Sequence, residues 1–182
     1  MKLGVKLKKV MSGYPDMEPA SLERALKTVL DQTALNRDYF GDTFPAAASV
    51  DNVYPKTAND DWTDGFYTGM MWLAYEETGD RKFRTAGEKQ VESFLKRIID
   101  RVVVDHHDMG FLYSPSCVAA YKLTGNETGK KAALMAADNL LSRFQEKGCF
   151  FQAWGPLGAK ENYRLIIDCL MNMPLLFWAR CV

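Results

Sequence analysis

The sequence predicts an all-α fold made of repeated helical hairpins, and three observations carry that prediction. Residues 73–95, LAYEETGDRKFRTAGEKQVESFL, align without gaps on residues 119–141, AAYKLTGNETGKKAALMAADNLL, at an offset of 46 residues. Each copy has a Thr-Gly-Asp/Asn turn at the same place, where glycine supplies a left-handed helix end and Asp or Asn can cap the next helix. The stretch before the first turn, GMMWLAY, is apolar nearly all round, whereas the one after it, RKFRTAGEKQ, is charged on one side. Such a pair reads as an inner helix packed on all sides and an outer helix with a wet face.

The elements follow in chain order. Residues 1–19 read as an N-terminal extension, a candidate for disorder, and residues 20–182 as one domain. In the first hairpin, Phe66, Met70, Leu73, Ala74 and Glu77 mark one face of the inner helix. Gly87, Val91, Phe94, Leu95 and Ile98 mark a face of the outer helix at the same period. In the second copy Tyr121 replaces Tyr75, Thr124-Gly125-Asn126 replaces Thr78-Gly79-Asp80, and Leu140-Leu141 replaces Phe94-Leu95. A third apolar helix is expected over residues 165–179, interrupted at Pro174, which cannot donate a helical hydrogen bond. By the phase of the repeat, residues 176–179 end an inner helix, so the array reads as cut short before its third turn.

Bulk composition narrows the function classes. With 182 residues, 47% of them hydrophobic, the chain can bury a substantial core. Basic and acidic residues balance at 23 each, which argues against nucleic acid or an anionic lipid surface as the partner and favours a small, locally recognised ligand. No window approaches the roughly 18–20 apolar residues of a membrane span, and the basic start MKLGVKLKKV lacks the apolar core of a signal peptide. The expected compartment is therefore the cytoplasm. Cys117, Cys149, Cys169 and Cys181 show no CxxC spacing and read as reduced core thiols.

Polar clusters recur at one phase of the repeat, just ahead of the inner helices: DDWTDGF at 60–66, DHHDMGF at 105–111 and QAWGPLGAKENYRLIID at 152–168. They should open at the same end of the array. Asp168 is flanked by Leu165-Ile166-Ile167 and Cys169-Leu170-Met171, so it is expected on a buried helix, where desolvation would raise its pKa into the range of a general acid. A core aspartate bracing a neighbouring helix is the equal alternative. Asp108 is its natural partner, since paired carboxylates in unlike environments suit glycosidic acid/base work; helix capping is the competing role for Asp108 and for Asp105. A metal at Asp105-His106-His107-Asp108 is set aside, because the chain's two histidines are adjacent rather than spaced along one helical face. Trp62 and Trp154 stand in polar, glycine-containing loops where an indole can stack on a sugar, while Trp72 and Trp178 lie in apolar helices and read as core.

Taken together and in order, DWTDGF, DHHDMGF, QAWG and RLIIDCLMN resemble the unsaturated glucuronyl hydrolases of glycoside hydrolase family 88, over roughly residues 20–179. The resemblance implies an (α/α)6 toroid of which this chain supplies the N-terminal half. It implies removal of a nonreducing-end 4,5-unsaturated uronic acid from lyase-generated oligosaccharides by hydration of a vinyl ether, without metal or organic cofactor. Asp168 would protonate C4 and then activate water, Asp108 would be the second essential carboxylate, His107 would donate to the substrate, and Trp62 and Trp154 would form stacking walls. The isolated chain is expected to show little or no turnover, and its open apolar edge offers a route to dimerisation. Two other readings stand beside this one: an unsaturated rhamnogalacturonyl hydrolase, and a non-catalytic helical-repeat binding protein in which Asp108 and Asp168 are apart.

Overall fold

The computed structural model describes residues 18–182. The predicted extension, residues 1–19, lies outside the described residues except for Glu18 and Pro19. The chain divides into two compact units, with the boundary between Gln32 and Thr33. Helix α1 (Pro19–Phe40) supplies residues to both. In the first unit its exposed face carries a Lys27–Asp31 ion pair, one turn apart.

The second unit is the hairpin array. Helices α2 (Asp64–Thr78) and α3 (Arg81–Ile99) form the first hairpin. The second has an inner limb in three pieces, α4 (Met109–Tyr113), a π-helical turn (Ser114–Val118) and α5 (Ala119–Thr124), followed by the outer helix α6 (Glu127–Leu141). Pro115 explains the break, because it has no N–H for the helical ladder. Both turns form as the repeat predicts. Gly79 and Gly125 end α2 and α5 with φ of 69° and 70°, a conformation that costs glycine little. Asp80 accepts the N–H of Lys82, and Asn126 that of Gly129.

Two short antiparallel ladders, β1 (Phe44–Pro45) with β2 (Lys56–Thr57) and β3 (Phe144–Gln145) with β4 (Phe150–Phe151), decorate the connections. The core runs through edge-on aromatic pairs, Phe40–Tyr67, Tyr67–Phe44, Phe44–Phe94 and Phe94–Tyr113, with centroids 5.4 to 6.2 Å apart. Trp72 is fully buried where α3 offers Gly87, whose missing side chain leaves room for the indole.

On α3 the predicted face is buried at Gly87, Val91, Phe94 and Ile98 and half-buried at Leu95. On α2 the expectation of burial all round is corrected. Its inner side, with Tyr67, Thr68, Met71, Trp72 and Ala74, is buried, but Phe66, Met70 and Leu73 are exposed. They form an apolar stripe at i, i+4 and i+7, turned away from the elements that bury the other side. The third apolar segment also departs from expectation. Residues 165–168 are not helical, and the helix appears as α7 (Cys169–Asn172) and α8 (Pro174–Ala179), broken at Met173-Pro174 as the proline predicts. Trp178 is half-buried against Tyr121. All four cysteines are free, yet only Cys117 and Cys169 are core thiols; Cys149 and Cys181 are exposed. Among the described residues, no helix is long and apolar enough to cross a membrane.

Candidate active site

The second and third polar clusters meet at the N-terminal ends of α4 and α7. Residues 105–108 lie against the loop after β4: the N–H of His107 donates to the Ala153 carbonyl at 2.7 Å, and His106 makes a backbone bridge with Trp154. Helix α4 then crosses α7 so closely that a Cβ added to Gly110 would stand 2.3 Å from Cα of Asn172. Only glycine fits there. This crossing brings residue 108 beside residue 168, 60 positions along the chain.

At the crossing, Nε2 of His107 lies 3.2 Å from Oδ1 of Asp108 and 3.5 Å from Oδ1 of Asp168. The imidazole is only 1% exposed. Burial lowers its pKa below the ordinary histidine value, against the pull of Asp108 and Asp168. A neutral ring with its proton on Nε2 serves this arrangement, offering one donor to two carboxylates. Its donor faces the two carboxylates, and its ring is enclosed. One atom each from His107, Asp108 and Asp168 lies within 4.8 Å of the others. Of the two histidines, only His107 lies between the carboxylates; His106 turns to the Val103 carbonyl and to Asp108, through its N–H and its Oδ2.

Asp168 is not the buried residue its apolar neighbours suggested. It stands at the N-cap of α7 with a side chain 40% exposed, so desolvation is not what distinguishes it. Its Oδ1 nevertheless has no hydrogen-bond partner. Asp108 occupies the N-cap of α4, but its side chain makes no capping bond there, which leaves the carboxylate to the site. Asp105 is also no cap; it is exposed and paired with Arg101.

Trp62 and Trp154 are 47% and 40% exposed, as loop positions allow. Trp62 packs against Phe66 and Phe111, with centroids 6.3 and 5.8 Å away. The Trp154 ring carries the Arg164 guanidinium 5.3 Å over its face.

Sequence reading missed three polar residues that hold this region. Asn172 is completely buried; its Oδ1 accepts the Phe111 N–H at 2.8 Å, which turns its amide nitrogen toward Oδ1 of Asp108 and the Asp168 carbonyl, each at 3.5 Å. Gln152 is buried too. It accepts from Gly158 N–H and donates to the carbonyls of Trp154 and Pro156, shaping the loop that carries Trp154. Arg143 braces the same loop through the carbonyls of Gln152 and Gly155. Asn172 and Gln152 both lie inside the motifs RLIIDCLMN and QAWG, whose polar letters in apolar surroundings were the available signal.

Comparison with known proteins gives the family and the fold. The Glycosyl Hydrolase Family 88 model matches residues 37–182. An unsaturated chondroitin disaccharide hydrolase of Streptococcus pneumoniae is 52% identical over 165 residues, which are 91% of this chain and 42% of that protein. The crystal structure of an unsaturated glucuronyl hydrolase from Streptococcus agalactiae superposes with a TM-score of 0.90 at 48% identity, covering 93% of this chain and 43% of that one. A mutant of the Streptococcus agalactiae enzyme complexed with dGlcA-GalNAc6S gives 0.79 at 38% identity, covering 94% and 40%. The chain thus spans about two fifths of the length of its relatives, and its hairpins are that part of an (α/α)6 toroid. With the family model covering most of the sequence and the hairpins superposing on solved relatives, the chain belongs to glycoside hydrolase family 88.

Proposed function

We propose that this chain is the N-terminal half of a hydrolase domain, residues 20–182, that removes a nonreducing-end 4,5-unsaturated uronic acid from lyase-generated oligosaccharides. The observation that carries the reading is the meeting of Asp108 and Asp168 at one imidazole nitrogen. A binding-only helical repeat has no need to bring two carboxylates together. The names of the relatives and the bound dGlcA-GalNAc6S of one of them support the substrate class.

Asp168 takes the acid/base role, because its carboxylate is partly exposed and can reach a sugar while its buried Oδ1 faces Nε2 of His107 at 3.5 Å. Its proton goes to C4 and the C4=C5 electron pair forms the new C–H bond. Water adds at C5 and returns a proton to Asp168, and the hemiketal opens with release of the aglycone. Asp108 binds sugar hydroxyls, His107 holds the two carboxylates in register, and Trp62 and Trp154 flank the ring. The chemistry needs no metal in this scheme. A cytoplasmic setting goes with four unpaired cysteines. Self-association through exposed apolar residues such as Phe66 and Leu73 is a second partner reading, tested by sedimentation at several concentrations.

The decisive experiment joins these residues to the C-terminal remainder of the Streptococcus pneumoniae relative and follows loss of C4=C5 absorbance with an unsaturated chondroitin disaccharide. Turnover that survives chelator and disappears in Asp168→Asn is expected; the isolated 182 residues should show little or none. A folded fusion that is inert, or an active Asp168→Asn fusion, would refute the assignment. A pectin-derived disaccharide cleaved in preference would move the enzyme to the rhamnogalacturonyl branch.

A further inference from the structure

His106 stands outside the carboxylate pair yet determines how one member of it is held. Its Nε2 is 2.9 Å from the Val103 carbonyl oxygen. A carbonyl has no proton to give, so Nε2 is the protonated nitrogen. Its Nδ1 receives the backbone N–H of Asp108 at 3.1 Å and is therefore unprotonated. Two independent contacts select the same tautomer.

The anchor for Nε2 is itself fixed. Val103 sits at φ 45°, a left-handed conformation that is costly for a β-branched residue, and its carbonyl also receives Nη2 of Arg97 at 2.9 Å. The consequence appears on Asp108. Its Oδ1 faces two donors, His107 at 3.2 Å and the amide of Asn172 at 3.5 Å. Its Oδ2 lies 3.1 Å from Nδ1 of His106, which is an acceptor.

We propose that His106 is a positioning residue for Asp108. Locked as the Nε2–H tautomer, it takes the N–H of Asp108 itself and so fixes the backbone from which that carboxylate projects, while Asn172 takes the Phe111 N–H that an N-cap carboxylate would otherwise accept. It also makes Oδ2 the oxygen that carries a proton whenever Asp108 holds one, with Oδ1 kept toward His107 and Asn172. This deepens the hydrolase reading and rests on it.

The chain has two histidines, so ring 15N spectra of the labelled protein assign both without ambiguity. Wild-type His106 is expected as the neutral Nε2–H tautomer with Nδ1 in the acceptor range. Two variants then separate the contacts. His106→Asn places a carbonyl oxygen near the Nδ1 position, while His106→Gln reaches only toward Val103. The Asn variant should keep the His107 ring signals, and the Gln variant should shift them and lower kcat of the fusion enzyme about tenfold or more, with a smaller change in KM. An imidazolium or Nδ1–H form of His106 at neutral pH, or His107 signals that are alike in both variants, would overturn the proposal. Expected spectra together with an inert fusion would leave His106 in its role and remove the hydrolase reading.

Discussion

The array holds two carboxylate sites, one under each inner helix start, and they solve different problems. Asp64 at the start of α2 is completely buried and faces Arg97, itself 2% exposed, at 3.3 Å. Arg97 also donates to the carbonyls of Asp61, Val102 and Val103 and to Asn59. That guanidinium ties the first polar cluster to the loop leading into Asp105-His106-His107-Asp108. The Asp108–Asp168 pair has no such cation; a neutral imidazole lies between carboxylates that remain partly open. Each site leaves one buried oxygen unpaired, Oδ1 of Asp64 and Oδ1 of Asp168; what separates them is that deep burial against a guanidinium marks a structural carboxylate, whereas partial exposure without a cation marks one left available for chemistry.

The largest expected effect breaks the first site. Arg97→Met leaves Asp64 and four oxygen acceptors without their donor, and stranding that many buried polar groups costs about 3–5 kcal/mol. Urea unfolding should show a loss of that order, a large part of the roughly 5–15 kcal/mol available to a domain. By contrast, Asp168→Asn should change stability by less than about 0.5 kcal/mol while abolishing turnover of the fusion. Comparable destabilisation by the two substitutions would erase the distinction.

Next in size is Gly110→Ala. The added methyl meets the α7 backbone, which cannot rotate aside, so α4 and α7 must separate at a cost of about 1–3 kcal/mol. The His107 ring signals should shift with the melting temperature, because the same crossing sets the carboxylate spacing. Asn172→Asp is milder: the acceptor for Phe111 N–H survives, but the donor toward Asp108 becomes a third carboxylate. About 1–3 kcal/mol of stability should be lost at neutral pH and partly regained on acidification, as read from urea midpoints.

The hairpins were legible because their code is local. The Thr-Gly-Asp/Asn turn states both the left-handed residue and the next helix cap, and the phase of Val91, Phe94 and Ile98 gives the outer buried face. Which side of α2 is buried was not legible, since a helix apolar all round carries no phase. Asp108 and Asp168 were singled out from the sequence and the fold brings them together, but the burial expected of Asp168 does not hold. Apolar neighbours in sequence bury a side chain only if the segment is an embedded helix, and residues 165–168 are not helical, with Ile167 87% exposed. The supporting contacts of Asn172, His106 and Arg97 span loops and crossings, so no periodicity announces them.

The smallest effect sharpens the comparison by sign. Burial lowers the His107 pKa from 6.5, so as pH falls below about 6.5 the unfolded chain takes up a proton that the folded one refuses. This contribution to stability is present above that pH and is lost on acidification. Burial pushes Asp64 from 3.8 up to about 7, opposed by the Asp61 N–H and by Arg97. Between those values the folded chain keeps a proton that the unfolded one has released, so this contribution falls as pH rises. In the overlap the two slopes oppose, each bounded by about 1.4 kcal/mol per pH unit. Urea midpoints of the wild type should therefore vary less with pH just below 6.5 than those of a variant lacking either group. His107→Gln should leave a slope that declines with rising pH, and Asp64→Asn one that climbs. Slopes of one sign in both variants would show that the two sites do not differ in the way their burial and partners indicate.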